Sequence, residues 1–238
     1  MPHLSLDALG GFPLLPFAVL GALLGLDVVS FPQAMLSRPL VAATCAGALA
    51  GRPGAGLLAG AVLELFALET LPVGASRYPE WGSASVVGGA LYAAQPAGSA
   101  GALTLSVLVA LVTAYVGGAS MVLLRRLNGQ LARAQLQRLA TGSNRSVVGL
   151  QLAGAGFDLV RGFAITVVAL GAAQPLVAHA RDRWTADTRV SRAVVVGLAA
   201  TVAGAAVWKL FHAVPRARWL FVGGIAAGLV AMQLLMGI

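Results

Sequence analysis

From Gly101 to Leu124 the chain runs for 24 residues without a single charge. About 20 apolar residues suffice to carry an α-helix across the ~30 Å hydrocarbon core of a bilayer. A soluble domain of this size has no interior deep enough to hide such a run together with the others that flank it. The composition agrees: 58% of the 238 residues are hydrophobic, 10% are charged, and the mean hydropathy is +0.86. No period-2 alternation with a polar inward face is visible, which leaves helices rather than a barrel. The chain is therefore read as an all-α, multi-pass membrane protein.

Against that background one carboxylate is out of place. Glu64 stands inside GAGLLAGAVLELFALETL, and a charge held at hydrocarbon depth is costly unless it lines a protected polar cavity. It is a candidate functional residue on that ground alone. Asp27, Gln33, Arg38, Glu69 and Glu80 fall in the same first third of the chain. Carboxylates and amides grouped in a cavity supply the acceptors and donors that sugar hydroxyls need, whereas an apolar solute would leave them unpaired. Glu64 and Glu69 are five residues apart, about 140° around an ideal helix, so they serve different surfaces unless the helix breaks between them.

The segmentation is uneven. A first helix is expected from about Leu9 to Gly25, with Pro13 and Pro16 near its start, where a missing amide donor is cheap. The N-terminus lacks the basic region of a cleaved secretory signal, so this stretch is expected to be an ordinary first membrane helix. Between Arg38 and Leu71 two short apolar pieces are divided by Gly51-Arg52-Pro53-Gly54. Pieces this short, interrupted by Gly and Pro, mark re-entrant or discontinuous helices around a binding site. The alternative is a pair of tilted helices joined by a tight turn. A polar connection, LPVGASRYPEWGSAS, then leads to the small-residue segment VVGGALYAA, and Gln95-Pro96 breaks it before the long uncharged span. Recurring Gly, Ala and Ser let membrane helices approach closely.

Residues 125–146 hold five Arg and no acid, with Leu127, Leu131, Ala134, Leu136 and Leu139 on one stripe. The positive-inside rule puts this segment in the cytoplasm. A helix along the inner membrane face, or a cap on the bundle, accounts for the stripe. Val147 to Ala178 would be about 48 Å long as one helix, more than the bilayer core, and is expected to tilt, break or double back. It carries Asp158 and Arg161 three apart, a spacing suited to a structural ion pair. Two more helices follow, about Ala193 to His212 and Leu220 to Gly237. The chain is expected to be a single membrane unit without an appended carrier domain.

Several function classes are excluded on chemistry. The +8 net charge lies in short stretches between apolar runs, which argues for membrane topology and against nucleic-acid binding. His3, His179 and His212 are scattered without acidic partners at ligand spacing, so neither a metal site nor a His-based triad is supported. No Walker loop, GxSxG elbow or CxxC occurs, and no cofactor is implied. Cys45, within an apolar segment, reads as a small core filler.

Two strings, LSRPLVAATCAGALAGRPGAGLLAGAVLELFAL over 36–68 and LPVGASRYPEWGSASVVGGAL over 71–91, resemble the membrane IIC subunit of the mannose/fructose/sorbose family of the bacterial phosphotransferase system. Arg38-Pro39-Leu40-Val41, Gly60 to Glu64 and Val73-Gly74-Ala75 match that family's elements. Asp27 and Gln33 sit where it has Asp and Gln upstream of the Arg-Pro, and Arg161 fits an Arg in a later membrane segment. One departure is Pro79-Glu80, where Pro-Asp is usual.

The resemblance implies a sugar permease with an elevator-like architecture in the bacterial inner membrane. It would work, in a homo- or hetero-oligomer, with a IID membrane subunit and soluble IIA and IIB phosphocarriers. Phosphoryl transfer would fall to those partners, so the chain itself is expected not to be an enzyme. Asp27, Gln33 and Glu64 would face the sugar, and Arg38 would pair with a carboxylate to hold the break in shape. The alternative is a divergent, non-transporting membrane sensor or accessory subunit.

Overall fold

The computed structural model describes residues 13–27, 30, 32–70, 78–142 and 144–236. In chain order the helices are α1 (Leu14–Asp27), α2 (Pro39–Leu49), α3 (Pro53–Ala67), α4 (Trp81–Ala94), α5 (Ala102–Ala134), α6 (Leu136–Ala140), α7 (Asn144–Asp182), α8 (Thr188–Phe211) and α9 (Ala217–Met236). No strand occurs among the described residues. Four helices, α5, α7, α8 and α9, are long and apolar enough to cross a membrane.

The first four are not. At 1.5 Å per residue α2 is about 16 Å long, α3 about 22 Å and α1 and α4 about 21 Å, all short of a ~30 Å core. Pro39 and Pro53 start α2 and α3 where no amide is needed. Gly51, at φ +73°, supplies the left-handed residue of the turn between them. The two helices pack closely as a hairpin: a Cβ on Gly47 would stand 2.6 Å from the Cα of Gly56. The hairpin tip is tied to the end of α4 by Arg52, whose guanidinium donates to the carbonyl oxygens of Ala93 (2.9 Å) and Gln95.

α4 is the axis of the fold. Every residue from Gly82 to Leu91, and Ala93, is buried, because α1, α2, α3, α5 and α7 all pack against it. Its composition, GSASVVGGALYAA, makes this possible: a Cβ on Gly89 would lie 2.7 Å from the Cα of Ala43. Small residues thus replace the bulky interior of a soluble bundle as the means of helix association. Phe17, Leu24, Val86, Val87, Leu91 and Leu170 form one apolar cluster around it, and Leu63, Leu103, Val107 and Val195 belong to a second. α9 lies outside both. Trp208 of α8 meets Phe221 of α9 edge-on at 5.7 Å between ring centroids, and most of α9 is exposed.

Several expectations are corrected. Residues 125–146 are not a separate surface helix: α5 runs unbroken to Ala134, because Leu, Arg, Gln and Ala favour helix and Gly129 alone does not stop it. Leu127 and Leu131 are on that extension and exposed, as is Leu136 on α6. The segment from Val147 neither breaks nor doubles back. α7 is continuous for 39 residues, about 58 Å, with Pro175 inside it. At that length it exceeds the ~30 Å core of a bilayer. Cys45 is exposed rather than a core filler, since α2 buries its Ala42, Ala43, Ala46 and Gly47 face instead. The beginning expected for the first helix, at Leu9, and Val73-Gly74-Ala75 lie outside the described residues.

Candidate functional site

Helix ends meet at one level of the bundle. α1 runs antiparallel to α7, with Gly21 against Thr166 and Gly25 near Arg161. Asp27, at the C-terminus of α1, therefore reaches the level of Asp158. α4 begins there too, since Gly25 lies beside Ser83 and Glu80. Glu80 rests against Gly117 of α5, fifteen residues or about 22 Å along the helix from Ala102. Along the uncharged run from Gly101 to Leu124 the level is thus nearer the arginine-rich end.

Glu80 is fully buried. It caps α4, its Oε1 accepting from the Ser83 amide at 3.0 Å, which satisfies one of the orphan donors of a helix start. Its Oε2 has no hydrogen-bond partner. Asp158 is equally enclosed: Oδ1 accepts from Arg161 Nε at 2.8 Å and Oδ2 from Ser30 Oγ at 2.9 Å. Arg161 also donates to Ser120 Oγ at 3.2 Å. This group links α1, α4, α5 and α7.

Asp27 is buried as well, and both its oxygens accept from backbone, Oδ1 from Ala34 (2.7 Å) and Oδ2 from Ser37 (2.9 Å). It folds the connection between α1 and α2 into shape. Gln33 and Met35 in that connection adopt φ +57° and +61°, conformations that non-glycine residues rarely take and that such fixed anchoring sustains.

Arg38 is the N-cap residue of α2, with no side-chain capping bond of its own. Glu64 supplies it from α3. One carboxylate oxygen pairs with the Arg38 guanidinium and the other accepts from the Leu40 amide at 3.1 Å. The pair keeps some exposure, 28% for Arg38 and 23% for Glu64. Glu69 is apart from it, exposed in the turn after α3. The six residues of the first third are therefore not one cluster: Asp27 holds a loop, Arg38 and Glu64 form a brace, Glu80 joins the Asp158–Arg161 group, and Gln33 and Glu69 lie on the surface.

Sequence reading missed Ser30, Ser83, Ser120, Asn128 and the contact of Tyr78 with Arg125, whose Nη2 donates to the phenol oxygen at 2.8 Å. The serines carried no distinguishing signal, because small residues serve helix packing equally well. Below Ser30 and Asp158 a cleft of about 840 Å³ opens between α5 and α7 toward the arginine-rich end.

The chain matches the profile of the family described as "PTS system sorbose-specific iic component" over residues 14–236. It belongs to that family. As an IIC subunit of the mannose/fructose/sorbose type it is the sugar-translocating membrane permease of a phosphotransferase system, working with the system's other components. Comparison with curated proteins gives no match. A solved structure described as "Structure of membrane protein" shares the fold, with a TM-score of 0.68 at 19% identity over 94% of this chain and 91% of that one.

Proposed function

We propose that this IIC subunit moves a hexose-like sugar across the bacterial cytoplasmic membrane in an oligomer with a IID subunit. Soluble IIA and IIB carry the phosphoryl group, and this chain transfers none itself. The arginine-rich end of α5, α6 and α7 faces the cytoplasm, as the positive-inside rule favours. The observation that carries the reading is the Arg38–Glu64 pair, half-buried between two helices too short to span a bilayer. Discontinuous helices gathered around a polar site are how membrane transporters bind solutes within the bilayer.

Of the residues assigned to the sugar, Arg38 and Glu64 are the pair with surface to offer a solute. Asp27 and Glu80 are buried in contacts of their own, and Gln33 and Glu69 lie on the surface. An elevator-like displacement of the α2–α3 region against α5 and α7 belongs to the same proposal.

The test is uptake of labelled mannose, fructose, sorbose and glucose in a host lacking its own permeases. Phosphorylated sugar is expected to accumulate when the chain is expressed with IID, IIB and IIA subunits, and not when IID is omitted. Equal accumulation without IID would remove that partner. No accumulation of any hexose with the complete set would overturn the reading.

A further inference from the structure

The cleft between α5 and α7 lies outside the Arg38–Glu64 layer and pairs a fixed cation with apolar walls. Arg125 is the first charged residue after the uncharged run from Gly101 to Leu124. Basic residues at the end of such a run stand where hydrocarbon gives way to lipid headgroups.

Its guanidinium is held in one orientation. Nη2 donates to the Tyr78 hydroxyl at 2.8 Å, and the group lies over the Tyr78 ring, 5.2 Å from the centroid. Tyr78 is itself buried against α5, where the Glu80 amide donates to the Ala114 carbonyl oxygen at 2.8 Å and Gly118 admits the Tyr78 carbonyl in space that a Cβ would fill. A hydroxyl and a ring face are neutral partners: they orient the cation and leave its charge in place. A guanidinium so oriented suits an oxyanion, and phosphate above all, because its fork matches two of the oxygens. The acid on the lining does not cancel this charge. Asp158 keeps 1% of its side-chain surface and is closed off by Arg161 and Ser30, so the charge that the cleft presents is that of Arg125. Residues 125–146 add four more Arg and no acid, a field that draws anions to this end of the bundle.

The walls select among anions. Leu26, Met121, Leu124 and Leu150 line the cleft, and Leu131 and Leu152 carry the apolar lining out to the exposed surface. Inorganic phosphate or a sugar phosphate would leave that lining unused, whereas an amphiphile with a phosphodiester head uses both. The volume of about 840 Å³ is within the ~300–1,000 Å³ range of small-molecule sites and has room for a headgroup and the adjoining part of an acyl chain.

We propose that the α5–α7 cleft is a site for an anionic phospholipid, its phosphate paired with Arg125 and one acyl chain laid against Leu26, Met121, Leu124 and Leu150. The lipid joins α5 to α7, and the assignment does not depend on which solute the permease carries.

The experiment is native mass spectrometry of the purified full-length protein in detergent, titrated with phosphatidylglycerol and, separately, with phosphatidylcholine of the same chains. Wild type, Arg125→Gln, Ala155→Phe and Arg126→Gln are compared, with thermal unfolding in lipid-free detergent as the check on folding. Wild type is expected to bind one phosphatidylglycerol about fivefold more tightly than phosphatidylcholine, the scale of one basic residue facing an anionic lipid, and Arg125→Gln to lose that preference. Ala155 lines the cleft from α7; Ala155→Phe fills it, keeps Arg125 and is expected to lose the tight adduct too, so the test stands if Arg125→Gln folds poorly. Arg126 is exposed and outside the cleft, and Arg126→Gln is expected to bind as wild type does. No headgroup preference in wild type, wild-type binding in Ala155→Phe, or equal losses in Arg125→Gln and Arg126→Gln would overturn the site, the last by showing a diffuse attraction to the arginine-rich end. Displacement of bound phosphatidylglycerol by an equal concentration of inorganic phosphate or glycerol phosphate would make this a site for a soluble phosphate and overturn the lipid.

Discussion

Arg161 and Asp158 keep 8% and 1% of their side-chain surface exposed, whereas Arg38 and Glu64 keep 28% and 23%. The chemistry of the two pairs is the same and the surroundings differ. The α7 pair is locked by Ser30 and Ser120 and faces the enclosed Glu80 carboxylate, so it holds α1, α4, α5 and α7 in register. The hairpin pair caps the start of α2 and remains open on one side. A charge can enter a membrane protein as a keystone or as a contact surface for a solute, and burial, rather than residue type, separates the two.

The largest effect is expected at the keystone. Arg161→Leu leaves Asp158 and Glu80 as buried carboxylates with no cation, and breaking such a pair costs about 3–5 kcal/mol. The variant is expected to lose most of its assembled yield. Adding Asp158→Asn to it is expected to restore part of that yield, and adding Glu80→Gln more, because Arg161 serves both acids. Detergent-resistant, correctly sized protein on gel filtration measures this. A double variant as unstable as the single would show that Asp158 and Arg161 are not coupled.

Next in size is the hairpin's own packing. Gly47→Ala places a methyl 2.6 Å from the Cα of Gly56 and 2.9 Å from the carbonyl oxygen of Arg52. Backbone cannot yield as a side chain does, so α2 and α3 must separate, at a cost of about 1–3 kcal/mol by the usual scale of overpacking. Thermal unfolding is expected to fall, and with it the pairing of Arg38 with Glu64, which spans the same two helices. Unchanged unfolding would mean that the hairpin is looser than its glycines suggest, and the contrast with the rigid α7 pair would then be one of flexibility as well as burial.

The helical fold could be read from the sequence because bilayer crossing imposes lengths and forbids unpaired backbone, constraints that a hydropathy pattern records directly. The break at Gly51-Arg52-Pro53-Gly54 was legible for a related reason, since Gly and Pro act locally. The site was less so. Glu64 announces itself by standing among Leu and Ala, but nothing in the string says that Arg38 lies across from it, because the two are 26 residues apart and meet only when the hairpin closes. Asp158 and Arg161 were easier, being three apart on one helix. Glu80 looked like a loop acid and is fully buried, an outcome fixed by five helices packing on α4 that no local pattern contains. That residues 147–178 exceed a bilayer core was legible; that they stay within one unbroken helix was not, because a bilayer sets a minimum for a helix and no maximum.

The smallest effect on stability, and the sharpest on function, is expected for Glu64→Gln. The amide keeps the shape of the side chain and one acceptor oxygen, so it can satisfy either Arg38 or the Leu40 amide but not both. For a pair this exposed the loss is expected to be under about 1 kcal/mol, against several for Arg161→Leu, and membrane insertion is expected to be unaffected. If the open side of the pair meets the sugar, hexose affinity falls by about tenfold, since a charged acceptor makes the stronger hydrogen bond to a hydroxyl. Calorimetry and thermal unfolding on the same preparation separate the two quantities. Unchanged affinity removes Glu64 from the sugar site. A destabilisation as large as that of Arg161→Leu would make the hairpin pair a second keystone, and exposure would no longer tell the two regions apart.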